Sequence, residues 1–158
     1  MNRPPEYDNA IAKGWLEPIQ PTSGAIPQYL QNASNYLAAA QALPPKLSLQ
    51  AFTMAYEGYF QLVQAVLELY EVRTKDAGRN FAIARVSSDL KLRPVESSLV
   101  GRAHARRNAT SYQSPFPPVS QQEASALIGI LQQSIPQAYK LTGAEQPGAP
   151  AAPSPTMP

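Results

Sequence analysis

A wide stripe of large apolar side chains between residues 49 and 72 constrains this chain more than any other feature. Apolar residues recur there every three or four positions, as they do on the buried face of an α-helix. They are Leu49, Phe52, Tyr56, Tyr59, Phe60, Val63, Val66, Leu67 and Tyr70. Because the stripe is wider than a single contact face needs, the segment is predicted to be a central helix with other helices around it.

Two small residues bear on how this helix begins and packs. Ser48 is predicted to be its N-cap, since a serine oxygen accepts a hydrogen bond from an amide of the first turn. Gly58 lies mid-helix, where glycine costs about 1 kcal/mol relative to alanine. A glycine in such a place is expected to let another helix approach closely.

Helical spacing and proline positions predict further helices on either side of the central one. Pro44 and Pro45 end a helix that begins near Pro27, and Pro94 opens another. A capping box at residues 120–123 starts the last helix, which Pro136 is predicted to kink. The predicted helices after the central one span about 79–91, 95–112 and 121–141. No segment alternates in polarity as a strand would.

These patterns predict an all-α fold, an up-and-down bundle of four main helices plus a short N-terminal helix at 8–16. Residues 1–22 form a Pro-rich segment with Trp15, Leu16 and Ile19 as possible anchors. Residues 23–142 form the bundle, and residues 143–158 form a Pro- and Ala-rich tail that is expected to be disordered.

Composition excludes several classes of function. The chain has no cysteine and one histidine, which excludes disulfides, thiol nucleophiles and histidine-rich metal sites. No metal or cofactor is therefore expected. The long uncharged runs, 18–45 and 124–139, are broken by proline and glutamine, so no membrane contact is expected. No apolar stretch directly follows Met1, so no signal peptide is expected, and the expected location is cytoplasmic.

Positive charge is concentrated between Arg73 and Arg107. This segment contains nine basic and three acidic residues, a net charge of +6. The central helix, in contrast, contains Glu57, Glu68 and Glu71 and no basic residue. Such asymmetry predicts either an anionic partner, such as a nucleic acid or nucleotide, or pairing between the two faces.

The end of the helix at 95–112 contains the residues with chemical potential. Its 104–107–108–111 positions share one helix face, which places His104, Arg107, Asn108 and Ser111 along one groove with Tyr112 beside it. Arginine forms forked hydrogen bonds with phosphate. The predicted nucleic-acid-binding residues are Arg102, Arg106, Arg107 and Ser111. Alternatively, these arginines pair with carboxylates of the central helix and are structural.

The chain resembles HEPN domains over residues 25–140. The resemblance lies in the helix at 33–40, the central helix from residue 51 to 69, and the stretch 106–112 followed by a Pro-rich connector and the capping box. It implies a helical bundle that forms a homodimer and binds RNA or nucleotides. In active members an Arg…His motif cleaves RNA without metal, with His assisting proton transfer and Arg stabilising phosphorane charge.

Residue by residue, the resemblance gives Arg107 as the motif arginine and Asn108 as the following polar residue. The motif histidine falls at 112–114, where this chain has Tyr112 and no histidine. His104 lies one turn before Arg107. It could take the place of the motif histidine only with the order of the two residues reversed. The candidate catalytic residues are thus Arg107, Asn108, His104 and Tyr112.

Three functions follow as hypotheses. The first is a homodimer that binds RNA or a nucleotide, in a toxin–antitoxin or defence-type system with an antitoxin or other protein partner. The second is a metal-independent endoribonuclease. The third is a non-catalytic module whose Tyr-rich helices bind another protein.

Overall fold

The fold was analysed in a computed structural model, which describes residues 2–75, 77–112 and 119–148, with backbone alone at 109–112. These ranges contain six α-helices and two short strands. They are α1 (Pro5–Ala12), β1 (Leu16–Pro18), α2 (Ala25–Ala42), α3 (Ser48–Leu69), β2 (Val72–Thr74), α4 (Gly78–Asp89), α5 (Pro94–Tyr112) and α6 (Gln121–Thr142). The predicted all-α fold is confirmed, with five helices around or beside the core and the short α1 before them.

Helix α3 is the centre of the molecule. It contacts α2, α4, α5 and α6, and thirteen of its residues are buried, which confirms the prediction of a central helix. Gly58 lies where α2 and α6 cross α3. A Cβ atom there would lie 2.8 Å from Leu131 Cδ2 and 2.9 Å from Tyr36 Cβ. Only glycine leaves room for this approach, as its position in the sequence suggested.

The predicted helix starts are partly right. Helix α5 begins at Pro94 and α6 is capped by Ser120, whose Oγ accepts from the Glu123 amide at 3.1 Å. The prediction that Ser48 is an N-cap is wrong. A 3-10 turn over Pro45–Leu47 runs directly into α3, so Ser48 is its first residue and its hydroxyl donates to the Pro45 carbonyl. Helix α6 continues through Pro136 to Thr142.

The expectation that no segment forms a strand is also wrong. Strands β1 and β2 pair antiparallel, with Glu17 opposite Arg73. The two side chains form an ion pair across the ribbon. Three residues are too few to show an alternating pattern, and the pairing joins segments that are distant in sequence, so local periodicity gives no sign of it.

Three side chains of the segment before α2 are packed into the bundle core. Tyr7, Ala10 and Leu16 are almost completely buried, which confirms Leu16 as an anchor. Trp15 is instead 38% exposed. Helix α1 begins and ends earlier than predicted, because Pro5 is favourable in a first helical turn and Gly14 adopts a left-handed conformation beyond its end.

Helix α6 ends at Thr142, close to the predicted end at 141. Gly143 ends α6 with φ of 74°, and residues 144–146 have no helix or strand. The rest of the predicted tail, 149–158, lies outside the described residues. Within the described ranges, no helix combines the length and apolar character needed to cross a bilayer.

Candidate functional site

Helix α5 presents its polar residues to two different neighbours. Val100 and Ala103 are fully buried and hold the helix on the core. His104 and Arg107 point to α3, where His104 contacts Tyr56 and Arg107 contacts Glu57. The other arginines of α5 do not share this direction. The helix therefore divides the predicted site into two parts.

His104 is a buried residue with partners on both ring nitrogens. Its Nδ1 lies 2.7 Å from the Tyr56 hydroxyl, and its Nε2 lies 3.4 Å from Asn108 Nδ2. Burial lowers the pKa of His104 below its ordinary value, and the charges of Arg79 and Arg107 lower it further. Burial also raises the pKa of Tyr56. At pH 7 the imidazole and the phenol are thus both neutral and share a hydrogen bond.

Arg107 forms an ion pair with the central helix, which is one of the two arrangements that the charge pattern predicts. Its Nε donates to Glu57 Oε1 at 3.0 Å, and the side chains of Arg107 and Glu57 are 32% and 23% exposed. Pairing with the central helix is therefore confirmed for Arg107. Glu68 has a different partner, since it accepts from the backbone amide of Thr22.

Arg79, which no sequence pattern singled out, completes this part of the site. Its guanidinium carbon lies 3.6 Å from the centroid of the Phe60 ring and 5.6 Å from that of Tyr56. The Arg79 Nε is buried and has no hydrogen-bond partner among the described residues. Its position on two aromatic rings of α3 arises from tertiary packing between α3 and α4. Only its place in the basic segment 73–107 pointed towards it.

These side chains form a group that we call the Arg79–Arg107 cluster. It consists of Tyr56, Glu57, Arg79, His104, Arg107 and Asn108. With a neutral histidine, the cluster contains two positive charges and one negative charge. Its exposed members, Asn108 and part of Arg107, reach the surface. Excess positive charge beside a partly buried, aromatic-lined corner is suited to binding an anion.

Arg102 and Arg106 lie on the α6 side of the helix. Arg106 Nη1 is 2.6 Å from Glu123 Oε2. Arg102 is exposed and lines a groove of about 400 Å³ between α5 and α6, together with Arg93 and Gln133. The structure thus does not bring the predicted phosphate-binding arginines to one place.

Ser111 and Tyr112 belong to the last turn of α5, and their side chains lie outside the described residues. Their predicted roles stay predictions. The described ranges contain no group of three or more histidine, aspartate or glutamate side chains that could hold a metal ion.

The chain was also compared with known proteins. No protein-family model and no curated protein sequence matches it. The resemblance to HEPN domains therefore stays a prediction, as do the homodimer and the toxin–antitoxin or defence context that it implies.

Proposed function

We propose that this chain is a helical module that binds RNA or a nucleotide through phosphate groups held at the Arg79–Arg107 cluster. One observation carries the proposal. Arg79 and Arg107 both act on His104 with their positive charge, and the cluster contains one carboxylate, that of Glu57, which pairs with Arg107. A bound phosphate supplies the missing negative charge and accepts the forked hydrogen bonds that guanidinium groups donate.

Arg107 still has donors to offer, and Arg79 is already held in place. The ion pair between Arg107 and Glu57 uses Nε, and the Arg107 Nη groups have no hydrogen-bond partner among the described residues. Arg79 is held against Phe60 and Tyr56. Such packing reduces the freedom that its guanidinium loses when it binds a ligand. Both groups are thus oriented before a phosphate arrives.

His104 supports binding better than cleavage. It is 6% exposed, and both ring nitrogens lie near partners. In this arrangement it positions Tyr56 and Asn108, and it offers no open nitrogen to a substrate hydroxyl. We therefore place the endoribonuclease second and treat cleavage as an outcome of the binding test.

The test is the affinity of a fluorescently labelled, single-stranded RNA at 50 and 200 mM salt. We expect Arg79→Gln and Arg107→Gln to weaken binding by about 10-fold or more, because a hydrogen bond to a charged group contributes about 1.5–3 kcal/mol. The wild-type affinity should fall with salt as counterions are released. Lys140→Gln is the matched control, since it removes one exposed positive charge far along α6.

The outcomes separate the three functions. Equal losses in Arg107→Gln and Lys140→Gln would contradict a defined phosphate site. No binding at 50 mM salt would overturn the proposal and favour a protein-interaction module. RNA cleaved in the presence of a chelator by wild type, and not by Arg107→Gln, would favour the endoribonuclease.

A further inference from the structure

The single tryptophan of this chain lies at the surface, and its backbone lies against the end of α4 that contains Arg79. Trp15 is 38% exposed, the most exposed aromatic side chain of the described residues. A tryptophan ring presents a large apolar face, and this one remains available at the surface of a well-packed segment. The neighbouring Leu16 is 1% exposed, so the segment itself is not loose.

The backbone of Trp15 is held firmly against the start of α4. Its amide donates to the Ala10 carbonyl at 3.0 Å, and its carbonyl accepts from the Lys75 amide at 2.9 Å. A Cβ atom on Gly78 would lie only 1.9 Å from the Trp15 carbonyl oxygen. Gly78 directly precedes Arg79, so the Trp15 backbone and Arg79 lie at the same end of α4.

The ring has one aromatic neighbour and one charged neighbour. The Phe81 ring lies 5.4 Å away at 41° and supports it. The Lys13 ammonium lies 4.7 Å from the ring centroid, at the end of an exposed side chain with a flexible stem. A nucleobase that replaces the ammonium gains a stacking surface, and Lys13 becomes free to pair with a phosphate.

The surroundings of Trp15 are basic overall. Lys13 and Lys75 are exposed, and neither forms an ion pair among the described residues. Arg73 is paired with Glu17, and the sequence from 73 to 79 contains one acidic residue, Asp76. An exposed aromatic ring among cations is the combination that single-strand-binding surfaces use to hold bases and backbone together.

We infer that Trp15 is a stacking platform for one base of a single-stranded RNA whose phosphate lies on the Arg79–Arg107 cluster. This inference rests on the proposed function and adds a preference for unpaired bases. A base in a duplex is stacked on its neighbours and is not available to the ring. Stacking depends on the aromatic face and tolerates any base.

Because the chain contains one tryptophan, its fluorescence reports on this ring directly. We would titrate wild type with oligouridine RNA and with inorganic polyphosphate of matched charge, which has no bases. Strong quenching by the RNA and little by polyphosphate is the expected result. Equal responses to both probes would overturn the inference.

A second measurement uses variants and anisotropy with labelled RNA. Trp15→Leu keeps an apolar side chain but removes the aromatic face, and it should weaken oligouridine binding at least about fivefold. Trp15→Phe should retain most of the affinity, and both variants should compete with polyphosphate as wild type does. Circular dichroism confirms that each variant is folded.

Failure of the inference and failure of the proposed function look different. RNA affinity that is unchanged in Trp15→Leu but reduced in Arg79→Gln would overturn the stacking role and leave the phosphate site. Absence of binding to both RNA and polyphosphate would overturn both. If Trp15→Leu does not fold, the wild-type fluorescence titration alone decides.

Discussion

At the residue scale, the environment of His104 determines what this side chain can do. Its ring is buried against α3, and the nearest charges, Arg79 and Arg107, are both positive. Each of these factors disfavours the imidazolium form. A histidine placed in this way keeps neighbouring groups in position and is poorly suited to accepting a proton.

Acid should therefore destabilise the fold through His104. The folded pKa lies below the unfolded value of 6.5, so the unfolded chain binds more protons and stability falls as pH drops through that value. We expect wild type to lose unfolding free energy between pH 7 and pH 5 in urea titrations. His104→Gln, which keeps a polar partner for Tyr56, should lack this loss because the chain has no other histidine. An equal loss in both proteins would contradict this assignment.

Four of the six cluster members were predictable from the sequence, because Glu57 is one of the central-helix carboxylates that could pair with the arginines. His104, Arg107 and Asn108 share a helix face, and that is a local property of residues three and four apart. Tyr56 and Arg79 were not predictable as members. Tyr56 is 48 residues from His104, and only the packing of α3, α4 and α5 brings them together.

At the element scale, the start of α5 has a cap that the sequence analysis missed. Glu96 Oε1 accepts from the Arg93 amide at 2.9 Å, and it forms an ion pair with the Arg93 guanidinium Nε, 3.1 Å away. Glu96 Oε2 accepts from Gln133 of α6 at 2.6 Å. The Arg93 side chain, then its backbone amide, lowers the pKa of Glu96 to about 2. Pro94 followed by a glutamate two residues later was a readable signal for this cap.

Glu96→Gln should weaken the start of α5 and its link to α6. We expect a loss of about 1–2 kcal/mol at pH 7, since the variant loses a charged acceptor of two hydrogen bonds. Because the folded pKa is depressed, the contribution is complete above pH 4.5 and is lost as pH falls towards 2. Wild type and variant should thus converge in acid. Glu145→Gln, at an exposed residue beyond α6, is the control and should leave stability unchanged.

Gly58 sets the distance between α3 and its two neighbours. Gly58→Ala should destabilise the protein by about 1–3 kcal/mol because the added methyl overlaps Leu131 and Tyr36. The clash should outweigh the gain of about 1 kcal/mol in helix propensity. Gly129→Ala on α6 is the matched control, since a Cβ there meets no atom within 4 Å. In thermal unfolding, the midpoint should fall in Gly58→Ala and rise in Gly129→Ala relative to wild type. A change in the same direction in both variants would contradict the role of Gly58.

The helices themselves were predicted well, because apolar periodicity, prolines and capping residues act within one element. The errors fell where one element runs into the next. The 3-10 turn before Ser48 changed the role of that serine. The strands after α1 and α3 are only three residues long.

At the scale of the whole molecule, the segment before α2 shares one core with the bundle. Tyr7 lies 4.8 Å from the Tyr70 ring, and its hydroxyl donates to Asp89 Oδ2 at 2.5 Å. Arg3 reaches the Tyr70 carbonyl. These contacts connect α1 to the ends of α3 and α4.

Unfolding should therefore be a single cooperative transition. Trp15 fluorescence reports on the first segment and far-ultraviolet circular dichroism on the helices, and we expect the two denaturation curves to coincide. Tyr7→Ala should lower the midpoints of both curves together. We expect it to reduce the free energy of unfolding by about 3–5 kcal/mol. An early fluorescence transition with intact helices would indicate that residues 1–22 form a separate unit.

The arrangement of faces across the molecule was beyond sequence analysis. Nothing local distinguishes Arg106, which pairs with Glu123 of α6, from Arg107, which pairs with Glu57 of α3. Adjacent residues on a helix differ by about 100° in direction, so the helices on each side decide their partners. The sequence predicts one basic surface, whereas the structure has two, one on the α3 side of α5 and one on the α6 side.

The ribbon of β1 and β2 also has a consequence for synthesis. Glu17 pairs with Arg73, 56 residues later, so β1 has no partner strand until the ribosome has released α2, α3 and β2. Closing so long a loop is slow compared with forming helices. We expect the Tyr7 and Leu16 side chains to remain exposed to solvent and to chaperones until the later part of the chain has been synthesised. The segment that is translated before α2 is then among the last to reach its native place.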